Sequence, residues 1–208
     1  MTWTSGVGRV CGVLLDAIVR LLALSRVSPN LLTLMGLVVN TYAAFLFGYA
    51  NGDNQRRMFF YAGLVIIASG FFDLVDGRVA RLSNQVTRFG GFFDSIVDRY
   101  SDASLFFGLL VYYARGNRFF YVVLAALAMI SAIMVSYARA RAESLIGTCR
   151  VGFMERPERL VLLIIGALFN VMAPVLWVIA VLSTITVIHR VLYTWQRTTE
   201  MDARTRAA

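Results

Sequence analysis

From Leu31 to Ala50 the chain carries no charged residue, and from Leu160 to Ile188 it again carries none. A hydrocarbon core about 30 Å thick takes about 20 apolar residues in a helix, and within it every backbone polar group must bond inside its own segment. Runs of this length therefore restrict the chain to membrane-spanning helices. Composition agrees: 59% of the 208 residues are hydrophobic and 15% are charged, and mean hydropathy is +0.69. Soluble globular domains carry about 25% charged residues, so that class is set aside. The apolar runs follow one another without a polar stretch long enough for a second core, which makes residues 1–208 a single membrane domain.

Taken in order, residues 8–24 carry Arg9, Asp16 and Arg20 on one helical face and Val13, Leu14, Ile18, Leu21 and Leu22 on the other. This pattern predicts an amphipathic helix lying in the membrane interface. Pro29 then opens a first span, with Ser28 as the expected cap, and Asn51-Gly52-Asp53-Asn54 turns the chain. A second span runs from Met58 toward Asp73, a rise of roughly 22 Å, so Asp73 approaches the far membrane face. A third span is expected from Gly90 to Ala114. A fourth runs from Phe119 to Ala138 and continues into Arg139 and Glu143, followed by a polar loop from Gly147 to Arg159. As one helix, Leu160 to Ile188 would measure roughly 43 Å, too long for one crossing, and Asn170 and Pro174 predict a break. The expected fold is all-α and integral to the membrane. It comprises the interfacial helix, a bundle of six transmembrane helices over residues 30–196, and a polar tail over residues 197–208.

The formal net charge is +8, and arginine is the only strong base. Guanidinium pairs bidentately with phosphate. Arginines gather before the first span, between the second and third, between the fourth and fifth, and after the sixth. The opposite side has only Arg56, Arg57, Arg115 and Arg118. The positive-inside rule then places both termini and the Arg139–Arg159 region on the cytoplasmic side of the cell membrane. Because these arginines flank spans, their charge does not imply nucleic acid. Cys11 and Cys149 form no ligand spacing, and His189, at the end of an apolar run, suits the interface.

The stretch from Asp73 to Asp98 departs from this economy of charge. Asp73 and Asp76 lie three residues apart, Asp94 and Asp98 four apart, and all four adjoin apolar runs. Ionisable groups at membrane depth mark function by default. On a helix Asp73, Asp76, Gly77 and Ala80 share one face, as do Gly90, Asp94 and Asp98. If those faces meet, four carboxylates converge and repel unless cations neutralise them. Hard divalent ions with oxygen ligands do so, Mg2+ being usual beside phosphates. Arg81 is placed to meet such phosphates. The plain alternative, acids at helix ends favouring the dipole, accounts for Asp94 but not for Asp73 and Asp76 late in a helix. An ion transporter is a second alternative, although transporters place such groups near the midplane.

Asp73-x-x-Asp76-Gly77-x-x-Ala80-Arg81, eight further residues, and then Gly90-x-x-x-Asp94-x-x-x-Asp98 resembles the signature of the CDP-alcohol phosphotransferases at every defining position. The resemblance implies transfer of a phosphatidyl group from CDP-diacylglycerol to an alcohol, with release of CMP. It implies metal ligation by Asp73, Asp76, Asp94 and Asp98, with Mg2+ or Mn2+ and two ions expected, and makes Asp98 the general base as well. It also implies CDP-lipid contacts from Asn30, Leu31, Leu32, Thr33, Gly77, Ala80, Arg81 and Thr87, and a homodimer, for which Gly48-x-x-x-Gly52 is a packing hint.

The acceptor is read from Ser136-Tyr-Ala-Arg139 through Glu155-Arg156-Pro-Glu158-Arg159. That region resembles its counterpart in bacterial phosphatidylinositol phosphate synthases and archaeal archaetidylinositol phosphate synthases. The resemblance implies an anionic acceptor, inositol phosphate, held by Arg139, Arg156 and Arg159, with glycerol 3-phosphate as the alternative.

Overall fold

The computed structural model describes residues 28–82 and 85–207; the interfacial helix expected over residues 8–24 lies outside the described residues. Among the described residues all regular structure is helical: α1 (Pro29–Tyr49), α2 (Gln55–Leu82), α3 (Arg88–Arg115), α4 (Phe119–Ile146), α5 (Arg156–Leu168) and α6 (Met172–Ala207). Helices α1, α2, α4 and α6 are long and apolar enough to cross a membrane. α3 has 28 residues, but Asp94, Asp98, Arg99 and Asp102 interrupt its first half. α5 has 13, a length of about 20 Å, short of the hydrocarbon core. The chain is thus a multi-pass membrane protein.

Local chemistry accounts for the boundaries. Pro29 presets the first turn of α1. Ser28 is extended beside it and makes no side-chain cap bond, contrary to expectation; its carbonyl accepts instead from the Leu31 N–H at 3.0 Å. In the next turn Asn51 Oδ1 accepts from the N–H groups of Asp53 and Asn54, both at 3.1 Å. The break in the last apolar run falls at Asn170, which takes the left-handed conformation with φ 56°, one that Asn tolerates. Pro174 does not break the helix; it sits in the first turn of α6, where its missing N–H is harmless. α5 begins at Arg156, earlier than the loop expected to Arg159. Pro157 and Glu158 both suit a first turn, the latter by facing the positive helix end.

α1 packs on α2 and α3, α4 joins α3 to α6, and α5 packs on α2 and α6. A Cβ at Gly108 of α3 would overlap the Ala44 backbone of α1, while Gly48 faces Val111 of α3 and Gly52 faces open space. Gly48 therefore serves packing within the chain, and Gly48-x-x-x-Gly52 does not form a helix-pairing face. One end of the bundle is closed by aromatic contacts. Ring centroids of Phe47–Phe59 and Phe59–Tyr112 stand 4.9 Å apart, and those of Tyr113–Tyr121 5.1 Å. Alternating helix direction brings the remaining ends together opposite this plug: the start of α1, the end of α2, the start of α3, the end of α4 and the start of α5. Around the waist Val38, Phe45, Ile130 and Ile185 are all more than half exposed, as a lipid-facing surface requires and a wetted one disfavours.

Candidate active site

A cleft of about 300 Å³ opens between α1, α2 and α3 at that end. Asn30, Thr33, Asp76, Gly77, Ala80, Arg81, Thr87, Gly90 and Asp94 line it. Thr33 Oγ1 donates to Asp76 Oδ2 at 2.7 Å, which fixes a carboxylate that is only 6% exposed. Thr87 caps α3 by accepting from the Gly90 N–H at 2.9 Å. The glycines border open space: a Cβ at Gly77 would stand 3.7 Å from Arg81 Nη1, and one at Gly91 would meet nothing. Two residues expected at the nucleotide-lipid site do not line the cleft. Leu31 is 49% exposed outside the cleft lining, and Leu32 is buried in the core.

A second cavity of about 150 Å³ adjoins the acids on the side of α4, α5 and α6, bounded by Asp98, Asp102, Arg139, Glu155, Arg156 and Arg190. Glu155 Oε1 accepts from Arg139 Nη1 at 2.9 Å and from Arg190 Nη2 at 2.8 Å. Arg190 also donates to the carbonyls of Val135 at 2.6 Å and Val151 at 2.9 Å. It therefore ties α6 to the end of α4 and to the loop before α5. Arg159 is placed beneath the cavity, 1% exposed, and donates to Asp102 Oδ2 at 2.5 Å. Of the three arginines expected around an acceptor phosphate, Arg139 and Arg156 face the cavity and Arg159 supports its wall.

Arg156 reaches from this cavity to two of the acids. Its Nη1 lies 2.9 Å from Asp73 Oδ2 and 2.7 Å from Asp98 Oδ1, and Asp94 lies within electrostatic reach of Asp73, Asp76 and Asp98. The four acids are thus brought together, though among the described residues no three stand in a metal-holding arrangement. Their chemistry fits a divalent ion nonetheless: all four offer hard oxygen donors, and a cation, the Arg156 guanidinium, already stands beside Asp73 and Asp98.

Arg190, Glu155 and Asp102 were not anticipated as site residues. A signal existed for two of them. Asp94, Asp98 and Asp102 recur every four residues, and Ser183, Thr186 and Arg190 form a polar stripe at helical spacing within an otherwise apolar run. All three of the latter are buried.

The family model for CDP-alcohol phosphatidyltransferase matches residues 26–195. An archaetidylinositol phosphate synthase from Pyrococcus horikoshii is 38% identical over 178 residues, covering 85% of this chain and 88% of that one. The crystal structure of Mycobacterium tuberculosis phosphatidylinositol phosphate synthase with CDP-DAG bound superimposes with a TM-score of 0.77 at 30% identity, over 87% of this chain and 93% of that one. The same enzyme in complex with manganese and citrate gives 0.76 at 29%, over 87% and 88%. With the signature spacing, the convergent acids and these matches in agreement, the chain belongs to the CDP-alcohol phosphatidyltransferase family.

Proposed function

We propose that this protein transfers a phosphatidyl group from CDP-diacylglycerol to a hydroxyl of inositol phosphate and releases CMP. The observation that carries this reading is that Asp94 lines the cleft and Asp98, one turn further along α3, lines the second cavity. The cleft between α1, α2 and α3 opens beside lipid-facing helices and offers Arg81 and bare glycine backbone to a pyrophosphate. The cavity on the far side of Asp98 presents Arg139, Arg156 and Arg190, a set suited to a phosphorylated acceptor. Names of relatives that include an archaetidylinositol phosphate synthase support this acceptor over glycerol 3-phosphate.

In the reaction Asp98 accepts the proton of the attacking hydroxyl, being the acid that faces the acceptor side. Asp76 is held in orientation by Thr33, and Asp73 is held by Arg156 until ligands compete. Asp73, Asp76, Asp94 and Asp98 would hold divalent ions, Mg2+ or Mn2+ and two in number, which when bound would supply charge neutralisation for the pyrophosphate and the leaving CMP. Arg81 neutralises phosphate oxygens at the cleft rim. Asn30 and Thr87 border the nucleotide end, leaving the acyl chains to the bilayer. The arginine distribution supports a cytoplasmic site; α3 and the short α5, whose length local thinning of the bilayer accommodates, complete six crossings beside the four apolar helices, and a homodimer is the expected assembly.

The test is CMP release by purified protein given CDP-diacylglycerol, Mg2+ and, separately, inositol phosphate, inositol and glycerol 3-phosphate. Release with inositol phosphate alone is expected. Equal release with inositol would remove the arginines from acceptor recognition, and release only with glycerol 3-phosphate would replace the proposed acceptor.

A further inference from the structure

Asp102 lies one turn beyond Asp98 on α3, outside the signature spacing, and is 5% exposed. Its two oxygens are treated unequally. Oδ2 accepts from Arg159 Nη2 at 2.5 Å. Oδ1 is buried without a hydrogen-bond partner, as is Arg156 Nε, although the two stand 3.5 Å apart. A buried donor and a buried acceptor that face each other without bonding are each costly to leave unpaired. The reason they remain apart lies at the other end of the guanidinium, where Nη1 is drawn to Asp73 and Asp98. Closing the gap to a normal bond of about 2.9 Å needs a shift of about 0.6 Å, within the reach of a side-chain adjustment.

We propose that Asp102 is a positioning residue for Arg156: when a divalent cation takes Asp73 and Asp98, the guanidinium settles on Asp102 Oδ1 and turns its remaining N–H groups into the arginine-lined cavity. The proposal rests on the reading of Asp73 and Asp98 as cation ligands. Arg159 fixes the plane of the Asp102 carboxylate and also donates to the Met154 carbonyl at 3.3 Å, so Asp102 and the start of α5 keep one register. Cation and guanidinium compete for the same two carboxylates. Asp102 lowers the cost of displacing the guanidinium, and displacement frees Arg156 for an anion. Cation and anion binding are therefore positively coupled, and reciprocally so.

Binding of Mn2+ alone, and of Mn2+ with inorganic phosphate, to the purified full chain in detergent measures this coupling by electron paramagnetic resonance, independently of turnover. Wild type should bind Mn2+ several-fold more tightly with phosphate present. Asp102→Asn should weaken Mn2+ by about tenfold, the usual scale for a group that orients the immediate surroundings of a metal, and should lose the effect of phosphate. Arg156→Met, which removes the competitor, should bind Mn2+ more tightly than wild type, and adding Asp102→Asn to it should change nothing further. A purely structural Asp102 would weaken Mn2+ whether or not Arg156 is present, and that result overturns the proposal. If Asp102→Asn fails to fold, Asp102→Leu with Arg159→Leu removes the buried charge pair together and should show the same weakened, phosphate-insensitive Mn2+ binding; wild-type binding by this pair overturns the proposal. Asp73→Asn separates the two levels. If it binds Mn2+ as wild type does, the cation reading falls and the proposal with it. If it loses Mn2+ while Asp102→Asn acts independently of Arg156, only the role of Asp102 falls.

Discussion

Gly152 offers a quantitative probe of how the acceptor side is held. It lies in the loop between α4 and α5 with φ 104°, and an added Cβ would stand 2.5 Å from Thr186 Cγ2 and 3.3 Å from Arg190 Nε. Gly152→Ala thus meets two separable costs. The positive φ costs an L-residue about 1–3 kcal/mol, and the overlap with α6 costs about 1–3 kcal/mol more. Allowing Thr186 to yield a little, the expected loss is about 2–4 kcal/mol. The two parts can be told apart. Thr186 Oγ1 accepts from the Met154 N–H at 3.1 Å, a bond that serine retains without the methyl. Gly152→Ala with Thr186→Ser should therefore recover the overlap and leave the backbone cost. Unfolding in mixed micelles followed by tryptophan fluorescence measures stability, and the acceptor KM reports the loop. A Gly152→Ala protein within about 0.5 kcal/mol of wild type, the range of a neutral surface change, would refute the reasoning. So would a double variant no more stable than the single.

Arg190→Met removes the hydrogen bonds to Glu155 and to the Val135 and Val151 carbonyls, while Glu155 keeps Arg139; a loss of about 1.5–3 kcal/mol and a raised acceptor KM are expected from unfolding and steady-state kinetics. Thr33→Val deletes the bond to Asp76, which, being made to a charged group, is worth about 1.5–3 kcal/mol; CMP release should fall more than stability does. At Gly108, alanine cannot be accommodated unless α1 and α3 separate, so Gly108→Ala should lower the unfolding temperature while Gly91→Ala, which meets no neighbour, should not. Chelation of divalent ions should abolish CMP release, and Mn2+ should restore it; release that survives chelation would remove the metal from the reading.

Much of the fold could be read from local chemistry. Pro29, the Asn51 turn and Asn170 each act on the few residues beside them, so sequence carries their effect directly. Ser28 misled because a good cap residue still needs a free N–H within reach, and Pro29 had already shaped the turn. Helical spacing put Asp73 with Asp76 and Asp94 with Asp98 each on one face, and the docking of α2 and α3 on α1 supplies the condition for those faces to meet. What sequence did not reveal is which charges neutralise which. Arg156 meets Asp73 and Asp98, Arg159 meets Asp102, and Arg190 meets Glu155, all across long separations that depend on how α3, α5 and α6 dock. Arg190 looked like an ordinary charge at the end of a span. Only the docked bundle places it 1% exposed against three acceptors.

Asp98, which lines the cavity on the acceptor side, is the group expected to accept the proton of the attacking hydroxyl. The direct measurement is the rate of CMP release by Asp98→Asn, with CDP-diacylglycerol and inositol phosphate saturating and Mg2+ present. Loss of general-base catalysis costs about 10²–10⁴-fold, so a fall of at least that size is predicted, with CDP-lipid binding retained in the variant. Release at the wild-type rate would contradict the account.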